Sequence, residues 1–394
     1  MMGLRTQFVH LWVCDQTEKS NDTFEDYGLF TQVEQLNKTA LKAHGLDKNG
    51  HLYKVNNFDF HRYEDTIKLA DDPDYNQANF EGMLEIKGDT DHTKLIEMLD
   101  ALNDESQKID NVLDTYFDTE NLVYWLAFQI LTGNCDTQNR NCYLYSPLNS
   151  NTWFFLDWDN DGMLRKLELS LTGFSDYASW ERGASNYWGN ALFNRALRSK
   201  SFRSELDRAV KDLRSYLTEE RLAKMIKHYR EVTESLVFAS PDIDNLPVTK
   251  DQYERIAAAI PSEIEENYKS FRESFKKPMP FYIGVPQIDN GKLRINWDAS
   301  YDFEARDIRY TVELARDYAI SDVVFKAEDV LLPEVTCDAP DAGQYFARVR
   351  ATNSDGYTQD AFDYYVTDDG KQYGMKCFYV QDDGKVVEDT YEEG

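Results

Sequence analysis

The stretch "FFLDWDNDGMLRKLE", residues 154–168, concentrates oxygen ligands: Asp157, Asp159 and Asp161, then Gly162, with Glu168 closing a twelve-residue span. A calcium loop of the paired-helix type uses that spacing, its glycine making the sharp turn and its last glutamate binding through both oxygens. Such a loop is entered from a helix. Here the approach is "SPLNSNTWFFLD", in which Pro147, Asn149, Ser150 and Asn151 predict a turn and "WFFL" predicts a strand. No second copy accompanies it, since "DKNG" at 47–50 is only a fragment. The context therefore opposes the helix-flanked loop. Two uses of the acids stay open: a lone calcium in another geometry, or a metal held for other chemistry.

The stretch just upstream, "GNCDTQNRNCYLY", adds Asp136 and, five positions later, Asn141, followed by a strand. An acid, an amide five residues on and a further acid after a short hairpin follow one another in the order found in protein kinases. There the first acid accepts the proton of the substrate hydroxyl, and the amide and second acid hold magnesium against the nucleotide phosphates. Mg²⁺ suits few protein oxygens because phosphates and waters complete its shell. The whole block "GNCDTQNRNCYLYSPLNSNTWFFLDWDNDG" resembles the signature of the CotH family, named for a spore-coat protein and related to atypical, secretory-type kinases. Its pattern is N-x-D, an asparagine before an aromatic strand, and a W-D-x-D-like acidic pair. "DYGLFTQVEQLNKTAL" and "GHLYKV" resemble the family's glycine-aromatic strand and L-Y-K segment, so the resemblance spans about residues 6 to 275.

Carried over residue by residue, the resemblance implies Asp136 as catalytic base, Asn141 as a metal ligand and Asp157 as the principal magnesium ligand, with Asp159 as a further metal ligand. Asp161 and Glu168 are not needed by it and are expected to be solvated acids. Lys54 in "LYKV" and Glu34 in "QVEQL" are the candidates for nucleotide contact; by residue type alone they also fit a surface lysine and a solvated acid. The implied cofactors are ATP and Mg²⁺. Family members generally carry a substantial segment before "RTQFVHLWV", so the N-lobe is expected to be truncated. "DTQN" after Asp136 lacks the basic residues common there in related kinases. Tyr143, Tyr145, Trp153, Phe155 and Trp158 alternate on strands and are expected to be packed core rather than a base-stacking platform.

These groups need a helix and a hairpin to position them. "FDTENLVYWLAFQILTGN" predicts a helix capped by Asp118 or Thr119 and stopped at Gly133, with Leu122, Trp125, Leu126 and Ile130 on one face. "NCYLY" and "TWFFLD" predict the two strands of the hairpin. Before them, "FVHLWVC" reads as a buried strand rather than a signal peptide, and "KLIEMLDAL" as a helix over 94–102. After them, "TEERLAKMIKHYREVTESLV" places Leu222, Met225, Ile226, Tyr229, Val232 and Leu236 on one stripe. "KDQYERIAAAI" and "SEIEENYKSFRESF" predict two more helices separated by Pro261.

"KKPMPF", residues 276–281, reads as a linker, beyond which the periodicity drops to two. Leu293, Ile295 and Trp297 alternate, as do Tyr310, Val312 and Leu314, and Tyr345, Ala347, Val349 and Ala351. Short strands so spaced predict a β-sandwich. The early tryptophan and the Y-x-x-R-V-x-A-x-N-x-x-G run resemble a fibronectin type III domain. The expected fold class is thus α+β: a CotH, atypical-protein-kinase-like domain over 1–277, an all-β fibronectin type III-like sandwich over 281–366, and an acidic C-terminal extension over 367–394.

With 42% hydrophobic residues the chain can bury sizeable cores, and a formal charge of −28 disfavours a nucleic-acid partner. Five scattered cysteines form neither a zinc motif nor a disulfide framework, Cys135 is expected to be structural, and no run approaches a membrane span. The sandwich points to an extracellular or cell-surface location, with a leader upstream of this sequence. Two functions follow: ATP- and Mg²⁺-dependent phosphoryl transfer to Ser or Thr of a protein, or a non-catalytic surface or coat-protein interaction module on a degenerate kinase fold, with structural calcium as a possible addition.

Overall fold

A computed structural model describes residues 2–17, 23–173, 177–368 and 370–389. The chain divides into two compact units, the first made of 1–175 with 190–267 and the second of 176–189 with 268–394.

In the first unit a two-stranded ribbon, β1 (Thr6–Val13) with β2 (Glu25–Val33), precedes a four-stranded antiparallel sheet. That sheet has the order β4-β3-β5-β6, from β3 (His51–Val55), β4 (Leu84–Ile86), β5 (Cys142–Ser146) and β6 (Phe154–Asp157). The helices are α1 (Lys38–Ala43), α2 (Gln77–Met83), α3 (Thr93–Asn103), α4 (Ile109–Tyr116), α5 (Thr119–Thr132), α6 (Lys166–Thr172), α7 (Ala191–Arg198), α8 (Lys200–Tyr216), α9 (Glu219–Val237) and α10 (Lys250–Ser274), the last continuing into the second unit. The key helix is α5, packed on α8 and β6. Its boundaries follow its sequence: the Asp118 carboxylate accepts from the Asn121 N–H at 2.8 Å, and Gly133 closes the helix at φ 67°. Val123, Ala127 and Leu131 are buried as well as the expected face, so α5 is a core helix rather than an amphipathic one.

Register decides what the sheet points at. Lys54, Tyr143 and Leu156 pair across β3, β5 and β6, as do Val55, Cys142 and Asp157 in the next row. Successive side chains alternate between faces, so Lys54 and Asp157 lie on opposite faces. The Tyr143–Leu156 face packs on Leu36, Ala40 and Leu41 around α1.

The second unit holds a sheet of order β10-β9-β12-β16-β17, with β13 beside β12, and a three-stranded sheet of order β11-β8-β7. These are β7 (Gln287–Asp289), β8 (Lys292–Asn296), β9 (Ile308–Ala315), β10 (Val323–Val330), β11 (Glu334–Asp338), β12 (Gly343–Asn353), β13 (Thr358–Asp360), β16 (Met375–Val380) and β17 (Val386–Glu388), with a separate hairpin of β14 (Tyr364–Thr367) and β15 (Gly370–Tyr373). Leu293, Ile295, Trp297, Tyr310, Val312, Leu314, Tyr345, Ala347, Val349 and Ala351 share one core, so each predicted alternation faces inward.

Several expectations are corrected. The β1 strand forms, but Phe8 and Trp12 remain 43% and 52% exposed, because β1 pairs with β2 in a two-stranded ribbon that α9 covers only in part, through Tyr229 against Phe8. The helices split at Pro261 are one helix, α10. Proline removes one backbone donor, but burial of Ile264 and Phe271 beyond it keeps the helix going. The linker at 276–281 is packed, with Met279 and Phe281 buried. The extension from 367 carries strands, and the stretch "YGMKCFYV" within it forms one of them. Its β16 pairs with β12 and buries Phe378 in the sandwich core. On α9 only Leu222 and Thr233 are buried, so most of the predicted apolar stripe is left partly or largely exposed.

Candidate functional site

The site forms where α5 ends and the β5–β6 hairpin begins and finishes. Gly133 turns the chain out of α5 into Asn134, Cys135 and Asp136. Asn141, just before β5, has φ 59°, and Asp159, just after β6, has φ 57°. After glycine, Asn and Asp adopt this left-handed backbone at the least cost. Both sequence-selected residue types therefore also suit the backbone at their positions.

Asn141 Nδ2 donates to Asp136 Oδ2 at 2.8 Å, and the Arg140 guanidinium lies 3.5 Å from Asp136 Oδ1. The structure thus brings the expected base and the expected amide ligand together. Burial pushes the Asp136 carboxyl above its ordinary value and Asp161 adds to this, against Arg140 and the Asn141 hydrogen bond. Asp159 is likewise raised, by burial and by Asp161 and Asp136, with Lys54 opposing. Asp136, Asp159 and Asp161 therefore share one electrostatic neighbourhood, and Lys54 reaches it. The Lys54 ammonium also stands 5.8 Å from the Trp158 ring centroid, and Trp158 meets Tyr143 edge-on at 5.5 Å.

Asp157 points the other way, towards α5. Gln129 Nε2 donates to its Oδ1 at 2.8 Å. Burial pushes its carboxyl up to about 6, despite hydrogen bonds from Asn160 and Gln129. Asn134, itself buried, donates to Gln129 Oε1 at 3.1 Å and accepts from the Asp136 N–H at 3.4 Å. Asn134 and Gln129 therefore link the two acids through α5. Gly162 completes the packing: a Cβ there would come 2.6 Å from Asn134 Oδ1.

Sequence reasoning missed Gln129, Asn134 and Asn160 as positioning residues. Gln129 had a signal, being a polar residue within the apolar run of α5; Asn134 stood in the quoted N-x-D and went unassigned.

Glu34 is engaged elsewhere. Arg5 donates through Nε at 3.0 Å and also through Nη2, and His44 lies 2.8 Å away. These bonds hold the Glu34 carboxyl down at about 2. Glu168 pairs with Arg165 at 2.8 Å, so it does not close a calcium loop, and the approach to Asp157 is strand β6. Tyr143, Tyr145, Trp153 and Phe155 are buried core, whereas Trp158 borders the site. Cys135 bonds the Gly133 carbonyl.

Among the described residues, no three His, Cys, Asp or Glu side chains converge as a cation cage. The donor set still suits Mg²⁺ bound with a nucleotide, which takes one or two carboxylates and leaves the rest of its shell to phosphate and water. Asp157 is a half-buried carboxylate whose desolvation outweighs the groups that lower its pKa, a deficit that a divalent ion would remove.

The family model for CotH kinase proteins matches residues 1–271. The first unit accordingly has a kinase-like fold, and the chain belongs to the CotH kinase family. Comparison with curated proteins found no match. Among the described residues, no helix is long and apolar enough to cross a membrane.

Proposed function

We propose that the first unit transfers the γ-phosphoryl group of ATP to a Ser or Thr hydroxyl of a protein. The observation that carries this reading is the Asp136–Asn141 pair, held at 2.8 Å on a left-handed turn beside Asp159 and Lys54. In this reading Asp136 takes the hydroxyl proton. The oxygen–phosphorus bond forms as the bond from the γ-phosphorus to the bridging oxygen breaks, and ADP leaves with that electron pair. A carboxyl raised by burial is a stronger base than a solvated one. Asn141 and Asp159 would hold Mg²⁺ together with Asp157, once Asp157 turned from its hydrogen bond with Gln129, and the ion would neutralise phosphate charge when bound. Lys54 is suited to a phosphate contact through its position beside Asp159, and Trp158 is placed to border the nucleotide. Glu34, tied to Arg5 and His44, would act by fixing β1 to β2 and α1 rather than by touching nucleotide.

The second unit is, on this proposal, a fibronectin type III-like sandwich. Support comes from the strand orders β11-β8-β7 and β10-β9-β12-β16 around one core. Such a module fits a protein that acts at a cell surface or within a coat, with surface or coat proteins as substrates or partners.

A non-catalytic coat module is the second reading, favoured by the engagement of Asp157 with Gln129 and of Glu34 with Arg5. Labelled ATP with Mg²⁺, incubated with the whole chain and a panel of Ser- and Thr-containing proteins, separates the two. Label transfer abolished by Asp136→Asn supports the kinase. Absence of both nucleotide binding and transfer leaves the module reading.

A further inference from the structure

The first unit contains a cavity of about 700 Å³ between α5, α6, α9 and α10. Its walls are mainly apolar, including Phe128, Met163, Leu222, Ile226, Ile260 and Ile264. Ligand pockets fall in this size range and combine such walls with a few polar groups. Met225 and Tyr229 also line it, yet they are 40% and 47% exposed, and Val232 one turn on is 52% exposed. The apolar stripe of α9 therefore runs from the cavity towards the surface, where Phe8 of β1 meets Tyr229 edge-on at 5.9 Å and leaves both rings partly exposed.

Two observations identify the occupant. First, the polar end of the cavity is the acidic loop itself: Asp161 lines the cavity and acts electrostatically on both Asp136 and Asp159. A molecule filling the cavity consequently has its exposed end beside the proposed base. Second, the charge there is negative. Arg165 is paired with Glu168 at 2.8 Å, whereas Asp161 forms no ion pair among the described residues, in a chain of net charge −28. An apolar occupant with a cationic flank is complementary to both features.

We propose that this cavity docks an apolar segment of the acceptor protein, with a Lys or Arg of that segment beside Asp161, and so selects hydroxyls close to large apolar and basic residues. The inference rests on the phosphoryl-transfer reading for its substrate. The docking itself does not require chemistry and is measured without it.

The test uses the whole chain and fluorescein-labelled synthetic peptides. One set places Leu and Phe next to Lys and Ser; a control set replaces Leu and Phe by Gly. Binding is read by anisotropy without ATP, on wild type, Met225→Glu and Ile226→Trp, the first altering an exposed edge and the second filling the cavity. Unfolding midpoints check that both variants fold. We expect the apolar-basic peptides to bind wild type at least tenfold more tightly than the glycine set. Either substitution should abolish that difference, and in transfer assays it should raise KM while leaving kcat and ATP hydrolysis unchanged. Equal binding of both peptide sets, or tight binding unaffected by Met225→Glu and Ile226→Trp, overturns the proposal. So does displacement of bound peptide by neither substitution but by self-association through α9, or cavity occupancy by a fatty acid with no peptide binding. Peptide binding at the cavity with no transfer to any peptide keeps the docking site and refutes the kinase reading; transfer indifferent to both substitutions does the reverse.

Discussion

Asp157→Asn should stabilise the metal-free first unit, and the gain should depend on pH. The Asp157 carboxyl is raised from its ordinary 3.8 to about 6, chiefly by burial. A raised carboxyl binds its proton more tightly in the folded state. The stability this provides is fully present below about pH 4 and is lost as pH rises through about 6. Roughly two pKa units at about 1.36 kcal/mol each set a ceiling near 3 kcal/mol, and the partial exposure of the side chain reduces it to about 2. Asparagine keeps an oxygen for the Gln129 hydrogen bond and never ionises. At pH 8 in EDTA the variant should therefore melt above wild type by roughly 4–8 °C, using about 2–4 °C per kcal/mol for a domain of this size. The two should converge near pH 4. Thermal unfolding followed by circular dichroism between pH 4 and 8 measures this. Excess Mg²⁺-ATP should then raise the wild-type midpoint at pH 8, by about 2.7 kcal/mol at a hundredfold over its dissociation constant, and leave the variant unmoved. Parallel pH profiles for the two proteins would refute the claim that burial governs this carboxyl.

Other outcomes follow from the same geometry. Asp136→Asn should lower phosphoryl transfer by about 10²–10⁴-fold with little change in nucleotide affinity, since general-base catalysis is worth that much; a matching loss of ATP binding in calorimetry would contradict the assignment. Gly162→Ala drives a methyl group against Asn134 Oδ1, 2.6 Å away, and should cost about 1–3 kcal/mol by overpacking, read as a lower denaturant midpoint. Pairing it with Asn134→Ala should recover part of that loss. Phe378→Ala should cost about 3–5 kcal/mol because β16 lies inside the sandwich, whereas a solvated tail would show no change in the melting of the second unit.

Much of this protein was legible in its sequence because the signals were local. Asp118 and Gly133 bound α5 through capping, a matter of a few adjacent backbone groups. The β5–β6 hairpin follows from strand residues flanking a turn. Period-two alternation fixed which residues of β8, β9 and β12 face inward, since neighbouring side chains must take opposite faces. The family resemblance singled out Asp136, Asn141 and Asp157 as candidates, and the match over 1–271 bears out the family.

Tertiary structure decided what depends on partners distant in sequence. The two faces of one sheet separate Asp157 from Lys54, a consequence of registers involving three strands. Arg5 and His44, 29 and 10 positions away, engage Glu34, a pairing that no local signal announced. The apolar run of β1 and the stripe of α9 announced apolar faces, but sequence records which residues are apolar or share a face and not how completely a neighbour covers them. The strand at 375–380 pairs with β12 and so completes the sandwich, and the sequence carries no mark of which edge a strand will fill, because unpaired backbone groups are alike at every edge.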